Sequence, residues 1–173
     1  MPEAASYAAT ETLRDLRMLE VRAFKPEDRP AFLAAVERIG PLSLYRRFFT
    51  AKRGFTDRER AFFLNVDFDK HVALVALMEE SGRKVIVGGG RYVVIQPGKA
   101  EVAFVVIDQY QGKGIGSILL RHLATVARGA GVQELVAEVL AENGPMLKVF
   151  ERSGLHTTTG LESGVVHVTL RLN

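Results

Sequence analysis

The feature that most constrains this chain is a glycine-rich hexapeptide, Gln111-Gly112-Lys113-Gly114-Ile115-Gly116, between two apolar segments. Residues 102–107 ahead of it are apolar and predict a buried strand. A helix that ends at Gly129 or Gly131 is predicted after it, with an apolar face made by Ile115, Ile118, Leu119, His122, Leu123, Val126 and Ala127. A turn between a strand and a helix leaves free backbone N–H groups at the helix N-terminus, and these favour a phosphate ligand.

The spacing of the glycines excludes two common nucleotide-binding motifs. The dinucleotide fingerprint G-x-G-x-x-G requires a third glycine where this chain has Ser117. The P-loop motif requires Ser or Thr after Gly98-Lys99, where the chain has Ala100, and an earlier glycine where it has Val93. The pattern that remains is Q-x-x-G-x-G, between a strand and a helix.

Length and composition predict one domain at residues 17–173, preceded by a tail or a short extra helix at residues 1–16. Apolar residues make up 47% of the chain and charged residues 25%, as in ordinary soluble proteins, and no apolar run is long enough for a membrane span. The net charge of +3 slightly favours an anionic ligand but is too small to indicate nucleic acid. The absence of cysteine is compatible with the cytoplasm, which is the expected location.

The order of the predicted elements indicates an α+β fold. Helices are predicted from Pro26 to the Gly40-Pro41 break, around Leu44, and after a capping box at Thr56 and Glu59. Strands are predicted over residues 17–23, 72–78, 85–95, 101–107, 133–139 and 165–170. Three of them form an antiparallel meander, so we expect a mixed, mostly antiparallel central sheet with helices on both faces.

Three adjacent glycines, Gly88, Gly89 and Gly90, lie inside the second strand of that meander. Glycine inside a strand weakens it, so its presence indicates a bulge or a close approach of the backbone to another element.

The glycine loop resembles the acyl-CoA pyrophosphate loop of the GNAT superfamily of N-acetyltransferases, written [QR]-x-x-G-x-[GA]. Gln111, Gly114 and Gly116 match its fixed positions. Residues 141–155 are similar to the second CoA-side motif of that superfamily, in which an asparagine, here Asn143, caps a helix that ends in a Gly-apolar pair. The resemblance implies a GNAT-like fold and acetyl-CoA as cosubstrate.

A narrower resemblance is to the catalytic domain of Pat-type bacterial protein lysine acetyltransferases. It includes residues 100–106, residues 43–49, residues 66–69 and the segment around Asn143. It implies a protein lysine as acceptor, with an acyl-CoA synthetase as target. Members of that group often carry a further regulatory domain, for which residues 17–173 leave no room.

Transfer of an acetyl group to an amine requires a base, because the amine must lose a proton before it attacks the thioester. Glu101, at the start of the strand before the loop, is the candidate, and the resemblance implies the same role. The alternative is an exposed strand-end glutamate in a structural ion pair. No thiol is available, so direct attack without a covalent intermediate is expected.

The resemblance also implies the residues that hold the cofactor. The backbone of Phe104, Val105 and Val106 would pair with pantetheine and direct an N–H at the thioester oxygen. The loop residues expected to hold the pyrophosphate are Gln111, Gly112, Lys113, Gly114, Ile115, Gly116 and Ser117. Asn143 would reach pantetheine or a water, or would cap its helix only. Many superfamily members have, near the position of Phe150, a tyrosine that acts as general acid for the departing thiolate. Pat-type members, like this chain, lack that tyrosine.

The remaining polar residues indicate structure more than chemistry. The four histidines are dispersed without metal-ligand spacing, so no metal site is predicted, and His122 is expected to be a packing residue. Asp67 and Asp69 are expected to cap local turns, the alternative being that they line the substrate side near a lysine. Two other functions stay open: acetylation of a small-molecule amine, and a non-catalytic module that senses acyl-CoA.

Overall fold

The computed structural model describes residues 2–48 and 56–172. In chain order its elements are α1 (Pro2–Ala5), β1 (Ala8–Thr12), β2 (Met18–Ala23), the 3-10 helix Pro26–Asp28, α2 (Arg29–Val36), α3 (Pro41–Phe48), α4 (Asp57–Leu64), β3 (His71–Glu80), β4 (Arg83–Gln96), β5 (Lys99–Val106), the 3-10 helix Asp108–Tyr110, α5 (Ile115–Gly129), β6 (Glu134–Leu140), α6 (Gly144–Glu151), β7 (His156–Glu162) and β8 (Val165–Arg171).

All eight strands form one sheet in the order β1-β2-β3-β4-β5-β6-β8-β7. Neighbouring strands are antiparallel except β5 and β6, which run parallel. The helices cover both faces: α5 packs on β3, β4 and β5, while α2 and α3 contact β4, β5 and β6. The predicted α+β class with a mostly antiparallel sheet is therefore confirmed. Among the described residues, no helix has both the length and the apolar character to cross a membrane.

Several local predictions are confirmed at the residues that carried them. The helix after the glycine loop is α5, and its buried face contains Ile115, Leu119 and Leu123. The capping box is present, since the Thr56 side chain accepts from Glu59 N and the Glu59 side chain accepts from Thr56 N. Phe49, the last residue of the segment 43–49 that carries part of the resemblance, lies outside the described residues.

The edges of the sheet differ from the sequence prediction. Residues 1–16 were expected to be a tail or a short helix; they contain the short helix α1 but also β1, which pairs with β2 along its full length. The sequence pattern does not predict β7, and β8 lies between β6 and β7. Because β7 is an edge strand with six of its seven residues exposed, its sequence lacks the apolar alternation by which strands are recognised.

The feature that shapes the molecule is the divergence of β5 from β6. Their pairing joins residues 99–101 to residues 134–136, although both strands continue further, to Val106 and Leu140. Beyond Glu101 the edge of β5 that faces β6 is therefore open, and its backbone N–H and C=O groups face a cleft.

Candidate active site

The cleft between the diverging strands, which we call the β5–β6 cleft, encloses about 270 Å³. It is bordered by β5, the glycine loop, the start of α5, β6, α6 and α3. Ten residues of the predicted cofactor site line it: Phe104, Val105, Val106, Gln111, Gly112, Gly114, Ile115, Gly116, Ser117 and Asn143. Long-range packing thus brings the two predicted cofactor segments together at one cavity.

The glycine loop ends at the N-terminus of α5 in a left-handed backbone. Gly114 is the N-cap residue with φ 86°, and Gly112 has φ 79°. The first main-chain bond of the helix runs from Ile118 N to Gly114 O, at 3.1 Å. The N–H groups of residues 115–117 precede that bond and are the donors that a pyrophosphate needs.

Alternation along β5 decides which backbone groups face the cleft. Ile107 N donates to Val87 O of β4 at 2.9 Å, whereas Val106 O accepts from the Gln111 side chain on the opposite edge. Because successive residues of a strand point to opposite edges, Phe104 shares the cleft edge with Val106. Val105 faces β4 with its backbone and therefore contributes to the cleft lining through its side chain.

The side-chain amide of Gln111 connects β5 to α3. Its Nε2 donates to Val106 O at 2.9 Å and to Ser43 Oγ of α3 at 3.0 Å. Ser43 Oγ in turn donates to Asp108 Oδ1 at 2.8 Å, and Gly40 N donates to the same oxygen at 3.0 Å. This network ties the N-terminus of α3 to the end of β5, so the amide of the motif glutamine positions the wall of the cleft.

Helix α3 also brings two arginines to the cleft, Arg46 and Arg47. Neither belongs to a sequence motif that predicts a site residue. Arg46 Nε lies 3.7 Å from Glu142 Oε1, beside the Asn143 cap on the far side of the cleft. Within the described part of the chain, this nitrogen is buried and makes no hydrogen bond. Together, Arg46 and Arg47 place two positive charges at the wall of the cleft, and this favours an anionic cofactor.

Glu101 lies at the point where β5 and β6 separate, outside the cleft lining. Its side chain is exposed and shares a face of β5 with Ala103 and Val105, opposite the buried Ala100 and Phe104. The Glu101 carboxylate is therefore open to solvent although it lies in an apolar run of sequence. Its charge acts on Arg47: burial lowers the pKa of that guanidinium, and the negative charges of Glu101 and Glu59 oppose the shift.

Two predicted positions on the far wall have defined surroundings. Asn143 is buried, and its side-chain oxygen accepts from Met146 N at 3.4 Å, so it caps α6 and lines the cleft at once. Phe150 is also buried in the cleft wall, with its ring centroid 5.7 Å from that of Phe104. Phe150 therefore presents to the cleft a ring without a hydroxyl, which cannot act as a general acid.

Other polar residues considered from the sequence have structural partners. His122 packs edge-on against Tyr7 and lies 2.6 Å from Glu11, which also accepts from Arg121 at 2.6 Å. Asp67 Oδ1 accepts from three successive backbone N–H groups, at residues 69–71, so the predicted turn role is confirmed for Asp67. Lys113 points away from the lining, 4.0 Å from the carboxylate of Asp15.

Comparison with known proteins identifies relatives of this chain among acetyltransferases. A family model described as "Acetyltransferase (GNAT) family" matches residues 41–155. An acetyltransferase of Pseudomonas aeruginosa is 31% identical over 137 residues, covering 79% of this chain and 74% of that protein. The acetyltransferase Pat of Mycolicibacterium smegmatis is 36% identical over 137 residues, covering 73% of this chain but 40% of its own length.

Solved structures share the fold of this chain. The GNAT domain of S. lividans PAT superposes with a TM-score of 0.85 at 33% identity, covering 95% of this chain and 96% of that domain. YncA of Salmonella typhimurium, whose structure includes its cofactor acetyl-CoA, shares the fold at a TM-score of 0.69 and 21% identity, covering 90% of this chain and 94% of its own.

Proposed function

Since the chain belongs to the acetyltransferase (GNAT) family, we propose that it transfers an acetyl group from acetyl-CoA to the side-chain amine of a protein lysine. In this proposal Glu101 is the general base, and an acyl-CoA synthetase is the protein that carries the lysine. The observation that carries the proposal is the open edge of β5, which leads from the glycine loop to Glu101.

The residues of the cleft fit the cofactor from end to end. The N–H groups at the start of α5 receive the pyrophosphate. The outward backbone groups of Phe104 and Val106 have no partner strand on the cleft edge. The amides of pantetheine take the place of that strand and pair with them. One of these N–H groups directs its proton at the thioester oxygen, where negative charge develops during attack. Arg46 and Arg47 of α3 add positive charge at the wall of the cleft.

The acceptor amine approaches from the face of β5 that carries Glu101, Ala103 and Val105. Glu101 takes a proton from the ammonium group, directly or through one water, so that a neutral nitrogen attacks. The nitrogen bonds to the acyl carbon, the C–S bond breaks, and its electron pair leaves on the sulfur. Phe150 offers no proton to that sulfur, and CoA departs as a thiolate, which is a tolerable leaving group near neutral pH.

Replacement of Glu101 tests the chemistry. Glu101→Gln removes the base but keeps the shape of the side chain. The rate of thiol release should therefore fall by roughly 10²–10⁴-fold, while the affinity for acetyl-CoA is retained. Glu162→Gln is the matched control, because Glu162 is an exposed carboxylate at the end of β7, remote from the cleft. Unchanged turnover in Glu101→Gln would remove Glu101 as the base.

A panel of acceptors tests the rest of the proposal. Thiol release from acetyl-CoA should be stimulated by an acyl-CoA synthetase with its lysine intact, and lost when that lysine is replaced by arginine. Stimulation by small amines alone would make the protein a small-molecule acetyltransferase, and binding without turnover would make it a sensor. The proposed compartment is the cytoplasm, compatible with a chain that has no cysteine, and cell fractionation checks it.

A further inference from the structure

A second cavity lies beneath α2 and α3, on the face of the sheet that carries Glu101, and encloses about 70 Å³. It meets the β5–β6 cleft at residues 103–105 of β5, which border both spaces. On β4 the cavity is lined by Gly89 and Arg91, which pair with two residues of that range and so share their face of the sheet. The cavity therefore opens beside the stretch of β5 that the acceptor amine approaches in the proposed function.

The wall of this cavity is apolar except at two positions. Among the described residues that line it, Arg47 of α3 and Arg91 of β4 alone have a charged or polar side chain. The others are glycines, aliphatic side chains and phenylalanine rings. Two positive charges thus border a small apolar space.

Arg91 is a partly buried cation that has no carboxylate partner among the described residues. Its Nη1 lies 2.6 Å from His71 Nε2 and donates to Phe63 O at 3.3 Å, and its guanidinium carbon lies 4.5 Å from the Phe63 ring centroid. These groups bring no negative charge, since burial and the charge of Arg91 lower the pKa of His71 to about 4 and leave that ring neutral. In the sequence between α3 and α4, residues 49–55 include neither Asp nor Glu.

The positive charge of Arg47 adds to this imbalance. Burial, and then the charge of Arg47, lower the pKa of Arg91 from 12.5 to about 9, so Arg91 is still charged at neutral pH in surroundings that disfavour the charge. Removal of a cation from water costs free energy unless an anion or hydrogen bonds compensate it. An anion in the cavity is attracted to both arginines and reduces the repulsion between them.

We propose that the cavity beneath α2 and α3 is an anion site, where Arg91 and Arg47 bind a carboxylate that the acceptor carries close to its amine. This inference rests on the proposed function, because that function brings the amine to Glu101 on the same face of the sheet. In a protein acceptor, the carboxylate belongs to an Asp or Glu beside the acetylated lysine. In a free amino acid, it belongs to the same molecule as the amine.

The size and lining of the cavity fit a carboxylate. A water-sized group needs roughly 10–15 Å³ of such space, so 70 Å³ admits a carboxylate and the one or two methylenes that carry it. A guanidinium presents parallel N–H groups that match the two oxygens of a carboxylate. The aliphatic and phenylalanine wall packs against the methylenes.

The distance from the proposed base also fits. Arg91 pairs with Ala103, and Val93 pairs with Glu101, so Arg91 and Glu101 are diagonal neighbours across β4 and β5. Such positions are about 7–8 Å apart. An extended peptide rises about 3.3 Å per residue, so near neighbours in an acceptor segment span the same distance.

A pair of peptides tests the inference. Both contain one lysine, which is flanked on each side by Glu in one peptide and by Gln in the other, so that they differ in charge but not in length. Calorimetry in the presence of CoA measures the affinity for each peptide, and thiol release from acetyl-CoA measures acetylation. Free lysine is the small-molecule acceptor.

Two variants locate the anion site. Arg91→Met removes the charge and keeps much of the side-chain length, whereas Arg91→Lys keeps the charge. Arg83→Met is the control, because Arg83 is exposed at the start of the same strand. Thermal melting establishes that each variant is folded.

Wild type and Arg83→Met should bind the Glu peptide about tenfold or more tightly than the Gln peptide. Arg91→Met should abolish this preference, and Arg91→Lys should retain part of it. Equal affinity of wild type for the two peptides would overturn the anion site while the proposed function stands, and this comparison decides the matter even if Arg91→Met does not fold. A preference that survives in folded Arg91→Met would overturn it as well.

The proposed function can fail separately. Tighter binding of the Glu peptide, together with thiol release from free lysine alone or with no acceptor, would overturn the protein-lysine acceptor and leave the anion site standing.

Discussion

The two glycine-rich stretches of this chain are residues 88–90 in β4 and residues 112–116 at the start of α5, and they differ in why a side chain is absent. In the loop, Gly112 and Gly114 adopt left-handed backbone, and a Cβ on either would meet nothing within 4 Å among the described residues. In the strand, none of the three glycines has a left-handed φ, and what limits a side chain is the set of atoms that an added Cβ would meet. The loop glycines therefore serve conformation, and the strand glycines serve contact or space.

The glycines of the strand also differ from one another in their surroundings. Gly88 follows a bulge, since the register passes from Ala76 opposite Gly88 to Leu77 opposite Ile86 and leaves Val87 as an extra residue. The sequence predicted a bulge or a close approach, and both are present, the approach being that of α5 at Gly90. Glycine in a sequence thus has no single structural meaning until its φ and its neighbours are known.

The largest effect is expected in the loop. Gly114→Ala places a side chain at φ 86°, where an L-residue is strained by roughly 1–2 kcal/mol, and disturbs the donors at the start of α5. Acetyl-CoA affinity should fall by roughly ten- to a hundredfold, measured by calorimetry. Gly129→Ala at the other end of α5 is the control, because it lacks a left-handed φ and its Cβ meets open space. Equal affinity in both variants would show that the loop conformation does not govern binding.

The next effect is on folding, at the strand. Gly90→Ala forces a Cβ to 2.6 Å from Leu123 Cδ1 and 3.0 Å from Phe104 Cβ, so the free energy of unfolding should fall by about 1–3 kcal/mol. Urea unfolding measures it, with Gly160→Ala as the control in an open position. A stability equal to that of wild type would mean that α5 shifts to admit the methyl group, and would break the distinction between Gly90 and Gly89.

The strand stretch leads directly into Arg91, and this predicts a sensitivity to acid on that side of the sheet. Burial, and then the positive charge of Arg91, lower the pKa of His71 from 6.5 to about 4. The folded state therefore binds this proton less readily than the unfolded state does. The contribution of neutral His71 is complete above pH 6.5 and is lost as the pH falls towards 4.

Between pH 7 and pH 5 this one group should lower the free energy of unfolding by about 1–2 kcal/mol. Urea unfolding of wild type and His71→Asn at both pH values measures the difference. The variant should lose less stability on acidification than wild type. Parallel losses in the two proteins would show that His71 is not the group responsible.

The smallest effect is expected at Gly89. Gly89→Ala adds a methyl group in ordinary contact and reduces the freedom of the unfolded chain, so unfolding free energy should stay the same or rise by about 0.5 kcal/mol. The same urea experiment measures it beside Gly90→Ala. A loss as large as that of Gly90→Ala would show that the cavity beneath α2 and α3, which Gly89 lines, does not have room for a side chain.

Much of the candidate site was predictable because its signals are local. The loop pattern from Gln111 to Gly116, the N-cap position of Asn143 and the strand that carries Glu101 are each defined by neighbours within a few residues. The contribution of α3 was not predictable in this way. Arg46 and Ser43 enter the cleft because the Ser43–Asp108–Gln111 network holds their helix there, and those partners are far apart in the sequence.

The sequence by itself determined the local elements, such as the helix beginning at Ile115 and the capping box at Thr56 and Glu59, since periodicity and caps act over a few positions. The tertiary structure alone decided the order of the strands, with β8 between β6 and β7, and the point after Glu101 where β5 and β6 separate. It also decided that Gly89 faces a cavity while Gly90 faces α5. These features depend on pairing and packing between distant segments, which no local pattern specifies.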